Sequence, residues 1–192
     1  SLTEASANLA SLLANLEQTA AIEPAMVRPD DVVLGVLPLF HVYGLNGVLG
    51  GVLHAGACLV LAEGFDPEGS LDLVADHGCT VVPAAPAVFG HWLGRERLRE
   101  RLATVRLMLS GSAPLAADVI EAFQGRSGVP VHQGYGLTEA APVVTSTLCS
   151  DRPAPGSLGA PLPGVEVRIV DEDGLVEDED PGQVQIRGAN LF

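Results

Sequence analysis

Gly134-Tyr135-Gly136-Leu137-Thr138-Glu139 puts an aromatic ring, a hydroxyl and a carboxylate within five positions. A tyrosine face stacks on a planar base, a threonine hydroxyl bonds a phosphate oxygen, and a glutamate holds a magnesium ion. The flanking glycines let a backbone turn tightly, enter left-handed conformations and approach a ligand closely. Together these groups describe a purine-nucleotide site. They equally describe an ordinary strand-to-loop turn with a surface threonine and glutamate, because short motifs recur by chance.

The elements that would position this turn favour the first reading. Val129 to Gln133 reads as a strand that ends in it. Upstream, Val32 to Pro38 is a continuous apolar run of strand length, and Ala57–Leu61, Cys79–Val82 and Val105–Leu109 repeat the pattern. Such runs suit strands covered on both faces. Helical stretches alternate with them: Gly44–Leu53, Pro67–His77, Ala87–Arg101 and Leu115–Gln124, the last stopped by Gly125 or Gly128. Gly44, Gly47 and Gly51 would share one side of their helix and allow close packing on a sheet. The fold class is therefore α/β, with a mostly parallel sheet and flanking helices. Ligands of such sheets lie beyond the carboxyl ends of the strands. Three unusual turns, Pro38–His41, Ser110–Pro114 and Gly134–Glu139, follow strands and should gather on that edge.

The organisation changes around this unit. Ser1 to Gln18 reads as a helix, and residues 1–30 as helix and linker of a preceding subdomain. Residues 31–148 form the α/β subdomain. In 149–192 a proline- and glycine-rich boundary, Cys149 to Gly164, leads to alternating runs at Val165–Asp171 and Gln183–Arg187. That is a β-hairpin pattern. A lone hairpin is marginally stable, so it should pack on the first unit or belong to a small β-barrel subdomain.

Composition narrows the function classes. Apolar residues make up 47 % of the 192-residue chain, enough for a globular core. All ten basic residues are arginine, against 24 acidic ones, for a net charge of -14. That balance disfavours nucleic acid and anionic membranes as partners. The acidic run at Asp171–Asp173 and Glu177–Asp180 reads as a solvated hairpin tip. Arg95, Arg97, Arg99 and Arg101 alternate with Glu96 and Glu100, as on a solvated helix face. The longest apolar stretch, Val48 to Ala62, is broken by Gly50, Gly51, His54 and Gly56, and predicts no transmembrane segment. Cys58, Cys79 and Cys149 are odd in number and lack metal-ligand spacing, as expected of a reduced, cytoplasmic protein. His54, His77, His91 and His132 read as structural, and Trp92 as a helix packing residue.

The chain resembles the adenylate-forming superfamily, and within it the acyl-CoA synthetases. The segments that carry the resemblance are Leu37-Pro-Leu-Phe-His-Val-Tyr-Gly44, Phe65-Asp-Pro67, Leu109-Ser-Gly-Ser-Ala-Pro-Leu115 and Gly134 to Glu139. Pro155-Gly-Ser-Leu-Gly159, Pro163-Gly164 with Ile169-Val-Asp171, and Gly182-Gln-Val-Gln-Ile-Arg-Gly188 continue it in order. The resemblance implies that Tyr135 stacks on adenine, with Gly134 and Gly136 giving it room. It implies that Thr138 contacts the α-phosphate and that Glu139 holds Mg2+ on the triphosphate. Gly111, Ser112, Ala113 and Pro114 would line the adenine and acyl pocket. On its own His41 reads as a loop histidine bonded to backbone; the resemblance puts it at the mouth of the acyl tunnel. The implied reaction is activation of a carboxylic acid, of fatty-acid type, by ATP to an acyl-adenylate, then transfer to coenzyme A.

The departures from the family pattern are equally definite. The family carries one lysine in a phosphate loop, expected before Ser1, and a catalytic lysine in a carboxy-terminal domain, expected after Phe192 with a Thr-Gly-Asp ribose motif. Glu4 stands where the family has His, and the chain contains no lysine. The expectation is an internal fragment of a ligase's large amino-terminal domain, inactive alone and completed by the rest of its parent. An adenylation domain or aryl-acid ligase of the same superfamily, and a non-catalytic nucleotide-binding or scaffold protein, stay open. No Gly-x-Ser-x-Gly elbow points to a hydrolase.

Overall fold

Four-residue strands of mostly β-branched and aliphatic residues form the centre of the chain. β1 (Val32–Gly35), β3 (Val81–Ala84) and β4 (Leu107–Ser110) are largely buried on both faces. The structure, a computed structural model, describes residues 2–171, 174–175 and 181–192. β2 (Cys58–Leu61) and β5 (Val131–Gly136) complete a parallel set in the order β2-β1-β3-β4-β5. Helices alternate with the strands: α1 (Leu2–Ala20), α2 (Gly51–Ala55), α3 (Pro67–His77), α4 (Pro86–Leu93), α5 (Leu98–Arg101) and α6 (Ala117–Ser127).

The period-2 alternation of each strand divides the core. Leu34, Val82, Met108 and Val131 face Leu71, Phe89, Trp92 and Phe123 in one cluster. Val33, Val81 and Leu107 face Val48 and Val52 in another. Trp92 is fully buried, as its packing role requires, and its Nε1–H donates to Ser70 Oγ at 3.2 Å. α3 begins where Asp66 accepts the Gly69 N–H at 2.7 Å, with Pro67 at the first helical position. It ends on left-handed Gly78, as α6 ends on Gly128.

Several elements differ from the sequence reading. The helix expected over Ala87–Arg101 is two helices, parted after Gly94 by Arg97 at φ 53°. The break lets Leu98 and Leu102 turn into the core, where both are buried. The arginines do lie on a solvated face: Arg95 and Arg101 pair with Glu68, Arg101 also with Asp72, and Arg97 with Glu100. Two strands have no counterpart in the sequence reading. β6 (Val143–Ser146) pairs antiparallel with β5, and β7 (Ala160–Pro161) extends the sheet into the proline- and glycine-rich stretch. α1 packs beside β6: the Asn15 side chain donates to Val143 O at 2.7 Å and accepts the Val143 N–H at 3.2 Å.

The carboxy-terminal hairpin forms as expected. β8 (Glu166–Asp171) pairs antiparallel with β10 (Gln183–Arg187), and β9 (Gly174–Leu175) joins β8. Val167 and Ile186, directly paired, pack toward Leu162 and Val165. The acidic run at Glu172, Asp173 and Glu177–Asp180 lies outside the described residues.

One polar network ties the amino-terminal edge of the sheet together. Asp31, Thr80 and Arg106 each stand one residue before β1, β3 and β4, which are neighbours. Asp31 accepts from Arg106 Nε at 2.9 Å and Nη2 at 2.5 Å, and from Thr80 Oγ1 at 2.7 Å. Burial by itself would raise the Asp31 carboxyl; the hydrogen bonds from Arg106, Thr80 and the Arg28 N–H outweigh it and hold it below the usual carboxylate range. A carboxylate held low in the folded state stabilises fully at neutral pH, and the gain disappears as pH falls through its folded-state pKa. Arg106→Ala leaves the Asp31 charge buried and uncompensated, and is expected to cost about 3 kcal/mol in urea denaturation. Asp31→Asn is expected to lower stability at neutral pH and to flatten the loss on acidification; an unchanged acid profile counts against the network.

Candidate functional site

The three turns do gather at the carboxyl edge of the sheet. A cavity of about 470 Å³ opens there, lined by His41 after β1, by Ser110, Gly111 and Ser112 at the end of β4, and by Gly134, Tyr135, Gly136 and Thr138. Ala113, Pro114 and Glu139 are exposed and do not line it. Glu139 stands beside Thr138 in a short 3-10 turn, Thr138–Ala140, at the rim.

Gly134, Tyr135 and Gly136 belong to a strand, which corrects the expectation of a turn. They pair with Ser146, Thr145 and Val143 of β6, with an irregularity between Tyr135 and Gly136. Neither glycine has a positive φ. Glycine is needed because the neighbouring backbone occupies the space of a side chain. A Cβ on Gly134 would lie 2.6 Å from Thr145 O, and one on Gly136 2.3 Å from Pro142 O. The reversal itself falls later, where Leu137 N–H donates to Pro142 O at 2.9 Å and Ala141 adopts φ 62°. Asn190, fully buried, donates to Ala140 O at 2.8 Å, and the Phe192 N–H donates to Glu139 O at 3.2 Å. The carboxy-terminal stretch thus fixes the turn that carries Thr138 and Glu139.

His41 is held by the segment that follows it. Tyr43–Gly50 is π-helical and continues into α2. The Tyr43 N–H donates to His41 Nδ1 at 3.1 Å. That bond assigns the neutral ring's proton to Nε2, the free nitrogen. The Tyr43 hydroxyl donates to Leu109 O at 3.3 Å, and burial pushes its pKa up, so it stays protonated. Its ring fills the place of a Gly111 side chain, since a Cβ there would be 2.9 Å from Tyr43 Cε1. The glycines of this segment act differently from the expected sheet-packing face. Gly44 abuts Pro38 O, Gly47 meets the Tyr43 ring, and Gly51 has nothing within 4 Å of its would-be Cβ.

The sequence reading missed the groups that brace the cavity. Gln133 Oε1 accepts the Leu115 N–H at 2.9 Å and so secures the loop carrying Gly111 to Pro114. Thr147 Oγ1 accepts the Gln133 N–H at 3.1 Å and stands 3.2 Å from His132 Nδ1. His132 and His54, expected as merely structural, both line the cavity. Burial lowers the His132 pKa, which favours its neutral ring. Tyr43 and Gln133 have no local sequence signal, because their partners lie 66 and 18 residues away.

Among the described residues no group of three or more His, Cys, Asp or Glu could hold a metal. One exposed carboxylate does fit a magnesium ion that arrives on phosphates and keeps its waters. The three cysteines are free thiols, and no helix among the described residues is long and apolar enough to cross a membrane.

Known proteins resemble the chain in sequence and in fold. The model of the AMP-binding enzyme family matches residues 5–192. 4-Coumarate–CoA ligase 5 of Oryza sativa subsp. japonica is 36 % identical over 174 residues, covering 86 % of this chain and 32 % of that protein. The long-chain-fatty-acid–CoA ligase of Bacillus subtilis (strain 168) is 33 % identical over 185 residues, covering 95 % of this chain and 33 % of that protein. ATP-bound MatB from Rhodopseudomonas palustris superposes with a TM-score of 0.87 at 33 % identity, over 95 % of this chain and 36 % of that one. The chain therefore spans about a third of the length of these relatives.

The close approach at Gly136 sets a test. Gly136→Ala would drive a Cβ into the Pro142 carbonyl, and is expected to cost at least about 2 kcal/mol in denaturant unfolding. Gly51→Ala, in open space, is the control and should leave stability unchanged or raised by a few tenths of a kcal/mol.

Proposed function

The chain belongs to the AMP-binding enzyme family, and on that premise we propose that it supplies part of the active site of an ATP-dependent acid–CoA ligase. The observation that carries the proposal is one continuous cavity joining Tyr135 and Thr138 to an apolar interior past His41. Tyr135 stacks on adenine, and Thr138 bonds the α-phosphate. Glu139, exposed at the rim, would hold a Mg2+ ion that arrives with the triphosphate. Gly111 and Ser112 form the wall between adenine and acyl group, with Ala113 and Pro114 supporting the loop from outside.

The carboxylate of the acid attacks the α-phosphorus, pyrophosphate leaves, and the acyl-adenylate forms. The thiol of coenzyme A then attacks the acyl carbon and AMP leaves. The first step brings two anions together, so it needs donors and cations around the developing charge. His41 contributes an Nε2–H donor at the acyl mouth. Mg2+ neutralises phosphate charge when bound. The chain has no lysine, so it is expected to bind nucleotide and acid with little turnover of its own.

An extended acyl chain fits the cavity better than a short one, because the cavity continues along the sheet face under α1 past Leu16, Val33 and Val48. A compact aryl acid would fill only the part near His41. The test is calorimetric binding of AMP and of a non-hydrolysable acyl-adenylate analogue. Tyr135→Ala is expected to weaken both about tenfold, within the usual range for loss of a base-stacking ring. Binding that is unaffected by the substitution overturns the stacking role. Release of AMP and pyrophosphate at an ordinary ligase rate, with ATP, Mg2+, fatty acid and coenzyme A, overturns the partial-site reading.

A further inference from the structure

The cavity does not end beneath His41. It continues to the opposite, amino-terminal edge of the sheet, where Ala25, Met26, Val27, Arg28 and Pro29 line it. Their place on that edge follows from their bonds. Arg106, one residue before β4, donates to Ala25 O at 3.2 Å and Met26 O at 3.3 Å. The Arg28 N–H donates to Asp31, one residue before β1, at 2.7 Å. Between the edges the wall is apolar, with Leu16, Val33, Val48, Ala55, Pro83 and Leu109. A four-residue strand such as β1 spans about 13 Å, so the lining residues at the two edges stand about that far apart.

Arg28 stands at the far end and is the one arginine among the described residues that line the cavity. Acidic residues outnumber basic ones 24 to 10. Arg95, Arg97, Arg101, Arg106 and Arg187 each have a carboxylate partner. Among the described residues no carboxylate pairs with the Arg28 guanidinium, and its neighbour Asp31 is already taken by Arg106 and Thr80. The passage therefore joins a reacting end, near His41 and Thr138, to a cationic end about one strand-length away.

We propose that this passage selects acids that carry a second anionic group: dicarboxylic acids with an apolar chain. One carboxylate reaches the reacting end, and the distal carboxylate pairs with Arg28. The guanidinium fork donates two parallel N–H···O bonds to a carboxylate. The proposal rests on the acyl-ligase reading of the same cavity and adds its substrate class.

Equilibrium dialysis of the 192-residue chain tests it. The probes are linear dicarboxylic acids from octanedioic to hexadecanedioic acid, each beside the monocarboxylic acid of equal length. A diacid of matching length is expected to bind about tenfold more tightly than its monoacid, equivalent to about 1.4 kcal/mol. Arg28→Ala should bring the diacid to the monoacid's affinity, and Arg28→Lys should keep part of the preference. Arg28 is exposed, so its replacement leaves the core intact. Equal affinities in the unsubstituted chain, or a preference that survives Arg28→Ala, overturn the proposal while sparing the ligase reading. If neither acid class binds while AMP does, the acyl reading of the cavity falls with it.

Discussion

The structure depends on one close backbone approach, between the end of β5 and β6. Gly134 and Gly136 admit the Thr145 and Pro142 carbonyls to the space a side chain would fill. Gly159, at φ 83°, admits the backbone at Ser146 in the same way on the far side of β6. Three glycines thus let an antiparallel strand dock on a parallel sheet. Tyr135 and Thr138 consequently emerge at the sheet's carboxyl edge, facing the loops that follow β1 and β4. A bulkier residue at any of the three would push β6 away and take the cavity wall with it.

Polar crosslinks between distant segments hold that arrangement. Asn15 binds α1 to β6 through both the nitrogen and the oxygen of its side-chain amide. Gln133 binds β5 to the loop after β4, and Tyr43 binds the π-helical segment to Leu109. Asp31 and Arg106 clamp the other edge. Each bond satisfies a group that burial would otherwise penalise, so each also specifies where its element can lie. The apolar interior between the two edges remains open because these bonds sit around it and not across it. That is how a small set of side-chain bonds shapes an elongated site out of a sheet face.

Composition and pattern alone determined much of this protein. Alternating apolar runs and helices imposed the parallel α/β architecture, because strands covered on both faces must be apolar throughout. The turns after those strands had to share one edge, and the ring, hydroxyl and carboxylate of Gly134 to Glu139 raised the expectation of a nucleotide site there. Pairing was the part that local pattern could not decide. β6 and β7 are only four and two residues long; β6 becomes a strand because β5 offers its edge, and β7 because β6 then offers its own. The glycines of Gly134 to Gly136 looked like a turn, since sequence shows a glycine's freedom but not the carbonyl that requires it. His132 looked structural until the register of β5 carried it to the cavity. Arg28 looked like part of a linker, and only the fold brought that linker to the far end of the passage. Such roles rest on contacts across tens of residues, and tertiary structure alone decides those.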